Sequence, residues 1–176
     1  VWAGTRAGTV RDGHGITARF AWAPVLGLEA EFRLDALALV MLLLVGGVGA
    51  LVLVYSAWYF TPRPSRLMIG SLVAFAGAMT GLVLADNLFV LYVFWELTTV
   101  SSFILIGAPG PERVENRRAA TQALLVTTAF GLVMLLGFIV LGQAAGTYRI
   151  SSLLADPPRG SAATAGLVLV MLGAFA

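Results

Sequence analysis

Glu96 is the only charged residue in LFVLYVFWELTTVSSFILIG, the apolar run from Leu88 to Gly107. At about 1.5 Å of rise per residue, a helix over this run reaches roughly 30 Å, the thickness of a bilayer's hydrocarbon core, with Glu96 close to the midplane. Inserting that carboxylate costs about 2.5–3.5 kcal/mol, while the run's Leu, Ile, Val and Phe return about 0.3–0.6 kcal/mol each, so the segment still enters the membrane. An ionisable group held in lipid marks an ion or proton path and calls for a partner. The simpler alternative is a structural carboxylate hydrogen-bonded to a neighbouring helix. Helical spacing puts Tyr92 (i−4) and Thr99 (i+3) on the face of Glu96, two hydroxyls able to hold its oxygens or relay protons. A cationic partner would decide whether Glu96 is charged at neutral pH. The chain has no Lys, and its 11 basic residues are all Arg.

The elements that must position Glu96 follow from composition. With 59% hydrophobic and 11% charged residues and a mean hydropathy of +0.92, 176 residues lack the polar surface to cover themselves in water. The expected fold class is an all-α polytopic membrane protein, a transmembrane helix bundle with a short extramembranous β-hairpin near the N-terminus. A net charge of +2, scattered over loops, is too small for a nucleic-acid surface. The absence of Cys excludes disulfides, thiolate catalysis and Cys-bound metal; neither a cofactor nor a metal site is expected. His14, the single His, lies in a Gly-rich stretch where a solvated loop residue is the expected reading.

Residues 1–33 read as the extramembranous hairpin, with strands around Ile16–Trp22 and Leu28–Arg33. Residues 34–176 read as the transmembrane bundle, with spans at about 36–54, 67–85, 88–107 and 119–142 and a further apolar segment at 162–176 too short to span. Asp35 and Asp86 stand before apolar runs as helix caps, with a place at an entrance as the second option. Gly46, Gly47 and Gly49 in the first span and Gly77 and Gly81 in the second signal close helix packing. Tyr55, Trp58 and Tyr59 mark an interfacial belt. Thr127 and Thr128, midway along the fourth span, are set either to face Glu96 or to bond their own backbone. The two short loops at 55–66 and 108–118 carry Arg63, Arg66, Arg113, Arg117 and Arg118, while the opposite side carries Arg19, Arg33, Arg149 and Arg159, so the count of positive charges barely separates the two orientations; the two short Arg loops are expected in the cytoplasm and the hairpin outside. A chain that begins at Val1 and stops at Ala176 inside an apolar stretch reads as a fragment of a longer protein.

Those features converge on a known pattern. ADNLFVLYVFWELTTVSSFILIG, then a charged loop and RRAATQALLVTTAFGLVMLLGF, resembles the A-type subunits of the multisubunit Mrp-type Na+/H+ antiporters. WAPVLGLEAEFRLDAL and YSAWYF extend the resemblance upstream, so it covers about residues 20–176. More broadly, the chain is similar to the antiporter-like subunits of respiratory NADH:quinone oxidoreductase and membrane-bound hydrogenases. The resemblance implies a multi-pass protein of the bacterial cell membrane that serves a transporter and is not an enzyme, with protons and Na+ as transported ions and other membrane subunits as partners. It assigns Glu96 the role of a proton-path residue paired with a Lys on a later, broken helix, and VLVMLGAFA resembles the run leading into that Lys. It also implies inverted helix repeats with ion sites near midmembrane.

The leading expectation is therefore the proton-translocating part of a monovalent cation/proton antiporter subunit. A proton-pumping subunit of a redox-driven complex is the alternative within the same fold. Two other classes compete. An intramembrane enzyme using Glu96 as general acid or base would lack a second carboxylate, a Cys or a membrane His here. A structural subunit would use Glu96 only to hold helices together, and replacing it would change assembly without changing transport per complex.

Overall fold

The computed structural model describes residues 16–23, 28–59, 66–107 and 114–175. His14, Pro62, Arg63, Pro64 and Arg113 lie outside the described residues. Strands β1 (Ile16–Ala23) and β2 (Leu28–Leu34) form an antiparallel hairpin with Ile16 opposite Leu34 and Arg19 opposite Glu31, and an irregularity between Ala21 and Ala23. Six helices follow among the described residues: α1 (Ala36–Tyr59), α2 (Arg66–Leu84), α3 (Leu88–Gly107), α4 (Val114–Ala145), α5 (Ile150–Ala155) and α6 (Ser161–Ala174). Helices α1 to α4 are each long and apolar enough to cross a membrane. Helix α6, with 14 residues, falls short of the roughly 20 that a span needs. The all-helical bundle with its N-terminal hairpin is the class the sequence implies.

The helices pack in sequence, α1 on α2, α2 on α3 and α3 on α4, with α6 laid antiparallel along the second half of α4. Lipid supplies no hydrophobic drive to join helices, so contact depends on van der Waals fit, and small residues permit the closest approach. Gly137, Gly166 and Gly173 provide that approach between α4 and α6. A Cβ at Gly137 would lie 2.7 Å from the Val170 nitrogen and 2.8 Å from the Gly166 oxygen, and one at Gly173 would lie 2.6 Å from the Phe130 oxygen. The obstructing atoms include backbone, so a side chain there forces the helices apart. Gly81 of α2 is covered instead by the Phe94 ring of α3. Phe94 meets Phe32 of the hairpin edge to face at 6.0 Å, which seats β2 on the start of the bundle. Gly46, Gly47 and Gly77 have open space around them, so of the glycines read as packing signals only Gly49 and Gly81 touch a neighbour here.

One end of the bundle is tied together by polar groups. Asp35 Oδ1 accepts from the Ala38 N–H at 2.9 Å and caps α1. Asn87 Oδ1 accepts from the Phe89 N–H at 2.9 Å and caps α3. Asp86, which the sequence also offers to α3, turns away to the start of α5, accepting 2.8 Å bonds from the Ser151 N–H and hydroxyl. The Asp86 backbone N–H donates to the Glu31 carbonyl at 2.8 Å, and its carbonyl accepts from the Ile150 N–H at 3.0 Å. Beside it, buried Glu31 receives two hydrogen bonds from the Arg149 guanidinium, one from Nε to Oε2 at 2.6 Å and one from Nη2 to Oε1. Arg19 adds a 3.3 Å ion pair from the paired strand. Hairpin, α2–α3 turn and α4–α5 connection are thus joined through Glu31 and Asp86.

Two outcomes follow from these contacts. Gly137→Val puts bulk against backbone and is expected to cost about 1–3 kcal/mol, read as a lower thermal midpoint of the detergent-solubilised protein, whereas Gly77→Ala leaves the midpoint in place. The Arg149 hydrogen bonds hold the Glu31 carboxyl below the usual carboxylate range, against the opposing effect of burial and with added attraction from the Arg149 and Arg19 charges. A depressed folded pKa stabilises the docked hairpin fully above the unfolded value of about 4.3, and that contribution is lost as pH falls through the lower folded value. Hydrogen-exchange protection of the β1–β2 amides should drop across that acid window, and Glu31→Gln should remove the step while weakening docking by about 1–3 kcal/mol at neutral pH.

Candidate functional site

Glu96 sits near the middle of α3, half-buried, with its carboxyl turned toward α4. Oε1 is shielded from solvent and has no hydrogen-bond partner among the described residues. It rests on Gly131, itself buried in α4; a Cβ at that position would lie 2.5 Å from Oε1 and 3.8 Å from Tyr92 Cε2. The Tyr92 ring, one turn earlier on α3, borders the same position. Tyr92 is therefore brought to Glu96, as helical spacing requires.

The surroundings differ on the two sides of this contact. Toward the hairpin, Leu88, Met134 and Phe138 are buried and pack with Leu91, Tyr92, Trp95 and Tyr148. This closes the α3/α4 interface with apolar side chains. In the opposite direction α3 and α4 part from each other and from α2 around a cleft of about 300 Å³, into which Thr98, Thr99, Ser102 and Thr127 bring hydroxyls. Thr99 is three residues beyond Glu96 and Thr127 four residues before Gly131, so both stand one turn from the carboxyl on antiparallel helices. Each cleft hydroxyl donates to its own helix: Thr98 to the Trp95 carbonyl at 2.7 Å, Thr99 to the same carbonyl at 3.3 Å, Ser102 to Thr98 at 2.8 Å and Thr127 to Ala123 at 2.8 Å. Their oxygens keep lone pairs that can accept from water or a protonated group.

Of the residues singled out from sequence, Tyr92 lies beside Glu96 at Gly131, Thr99 and Thr127 line the neighbouring cleft, and Thr128 does not. Asp35 and Asp86 line a separate cleft of about 490 Å³ at the hairpin end, with Arg33, Met41 and Ser151, where both also cap helices. Sequence reasoning missed Thr98, Ser102 and Gly131. The i, i+4 pair of Thr98 and Ser102 was a readable signal; the closeness of Gly131 to Glu96 was not, because it depends on how two helices face each other. No group of three or more His, Cys, Asp or Glu able to hold a metal ion occurs among the described residues.

Comparison with known proteins identifies the family. Residues 22–66 match the family described as NADH-ubiquinone oxidoreductase (complex I), chain 5 N-terminus. Residues 85–176 match the one described as NADH:quinone oxidoreductase/Mrp antiporter, TM. The chain is 35% identical to the A1 subunit of a Na+/H+ antiporter of Staphylococcus haemolyticus, covering 95% of this chain and 21% of that protein. It is 36% identical to the A/B subunit of a probable K+/H+ antiporter of Rhizobium meliloti, covering 94% of this chain and 17% of that protein. It thus spans about a fifth of the length of these relatives. A chain of the Mrp complex from Dietzia sp. DQ12-45-1b superposes with a TM-score of 0.83 at 36% identity, over 98% of this chain and 20% of that one. The antiporter resemblance carried by FWELTTVSSF is met by these relatives, and with more than half of its residues inside the second match, this multi-pass membrane chain belongs to the NADH:quinone oxidoreductase/Mrp antiporter transmembrane family.

Proposed function

We propose that this chain supplies the protonatable centre of a monovalent cation/proton antiporter subunit working within a multisubunit membrane complex, with Glu96 as the residue that binds and releases the proton. The observation that carries the reading is the seat of Glu96: a carboxyl at midspan, one oxygen shielded and without a hydrogen-bond partner among the described residues, beside a hydroxyl-lined cleft. An ionisable group is expensive in hydrocarbon and is retained where a pathway uses it. Loading a proton on Glu96 removes its charge, and unloading restores it. The free energy of the carboxyl thereby becomes sensitive to any charge that approaches or leaves, which is the coupling an exchanger needs.

Relatives named for Na+ and for K+ match the chain at nearly the same identity, so the cation is assigned as a monovalent alkali ion. Tyr92 is assigned to hold the carboxyl on the closed side. Thr99 and Thr127, with Thr98 and Ser102, are assigned to carry water or protons on the open side. Asp35 and Asp86 are assigned as helix caps at the hairpin end, with the cleft between them a place where ions collect before entry. The lipid bilayer and the other subunits of the complex are its partners.

Cation-driven dissipation of a pH gradient in vesicles carrying the complete complex tests the role of Glu96. Glu96→Gln keeps the shape and removes titration, so exchange per assembled complex should fall to the leak rate of vesicles lacking it; wild-type exchange in this variant would leave Glu96 as scaffolding. If the wild type shows no dependence on Na+ or K+ and proton movement instead follows electron transfer, the chain belongs to a redox-driven pump, the other activity in the family's description. Paired Ser102→Ala and Thr127→Val substitutions, which remove two cleft hydroxyls, should slow exchange several-fold while leaving the order of preference among Na+, K+ and Li+ unchanged.

A further inference from the structure

We infer that Gly131 is the positioning residue for the Glu96 carboxyl: lacking a side chain, it seats Oε1 directly on the α4 backbone and so fixes where along the α3/α4 interface the proton is taken up and released. The inference rests on the reading of Glu96 as a protonatable path residue. A Cβ at Gly131 would stand 2.5 Å from Oε1 and 3.7 Å from the carboxyl carbon, closer than van der Waals contact allows. A glycine inside a helix gives up about 1 kcal/mol of propensity relative to alanine, and at this position the space it leaves is filled by the acid itself.

Other glycines of the bundle provide the contrast. At Gly137 and Gly173 the obstructing atoms include backbone of a neighbouring helix, and Gly81 and Gly142 meet the aromatic rings of Phe94 and Tyr148. Around Gly77 there is open space. Among the described glycines, Gly131 alone has a carboxylate oxygen as its nearest obstruction. That difference predicts what an added methyl does. At Gly137 a helix has to move, whereas at Gly131 the end of a flexible side chain yields, so alanine displaces the carboxyl by about 1 Å and leaves the helix pair where it is. Displacements of that size cost up to about a hundredfold where a reacting group has to be aligned.

The groups facing the carboxyl are few. Among the described residues, its own helix presents Tyr92 and α4 presents Gly131, while Thr99, Thr127 and, from α2, Met79 and Leu82 line the neighbouring cleft. Tyr92 is the titratable side chain that shares the Gly131 position with Glu96, so the seat set by Gly131 fixes where the carboxyl stands between the phenol on one side and the hydroxyl cleft on the other.

The test uses the complete purified complex and pH-difference infrared spectroscopy, with Glu96→Gln identifying the protonated-carboxyl C=O band of Glu96. Gly131→Ala should assemble, shift that band's frequency and pH midpoint, and lower exchange by about tenfold to a hundredfold, while Gly77→Ala leaves all three unchanged. In a Glu96→Asp background the shorter side chain no longer reaches α4, so adding Gly131→Ala should carry no further penalty, a non-additivity expected only of groups in contact. An unchanged band and midpoint in assembled Gly131→Ala, or the same loss in both backgrounds, overturns the inference. Should Gly131→Ala fail to assemble, recovery of assembly in the Glu96→Asp background upholds the contact, and continued failure makes Gly131 a helix-packing residue only. If Glu96→Gln removes no band, the reading of Glu96 itself falls, whatever Gly131 does.

Discussion

A carboxyl group in hydrocarbon has to face protein or a water-filled cavity and not lipid. In this chain the requirement fixes the relation between α3 and α4. The backbone of α4 approaches the acid through a position with no side chain, and the apolar cluster of Leu88, Met134 and Phe138 seals the interface on the hairpin side. The same reliance on small residues continues from α4 to α6, where Gly137, Gly166 and Gly173 bring backbones together. Helix α4 therefore has two glycine-bearing contacts with different tasks, one lodging an ionisable group and the other joining helices.

Polar and apolar interactions are divided along the membrane normal. Within the spans the hydroxyls of Ser56, Ser71, Thr80 and Ser101 bond back to carbonyls of their own helices, satisfying themselves without specifying a neighbour. At the hairpin end the opposite holds. Glu31, Asp86, Arg149 and Ser151 bond across long sequence separations, 118 residues for Arg149 to Glu31 and 65 for Ser151 to Asp86. Association inside the bilayer comes from shape, and registration at its surface from directional charge-assisted bonds, which are roughly twice as strong as neutral ones.

What could be read from the residues was whatever depends on local periodicity. The apolar runs, the isolated Glu96, its i−4 and i+3 hydroxyls and the cap at Asp35 are all written within a few positions of one another. The role of Asp86 was half legible: its side chain was recognisable as a cap, but the helix it caps lies 65 residues later. Arg149 counted in the sequence only as one more positive loop charge, and the chelation of Glu31 could not be foreseen because the hairpin's docking site is a tertiary fact. Gly46, Gly47 and Gly77 illustrate the opposite limit, since a stripe of small residues says that a close approach is allowed without saying which helix makes it. Gly131 went unremarked for the same reason.

The polar tie at the hairpin end also has a mechanical meaning. With the hairpin, the α2–α3 turn and the start of α5 held together through Glu31 and Asp86, a tilt of α4 against α3 would pivot at that end. About 18 residues separate Thr127 from the end of α4, roughly 27 Å of lever at 1.5 Å per residue. A tilt of only a few degrees about that fulcrum, too small to unseat the Phe138 region, would change the width at Thr99 and Thr127 by about 1–2 Å, close to the radius of a water molecule. The anchored end thus turns a small change of angle into a change of width at the cleft.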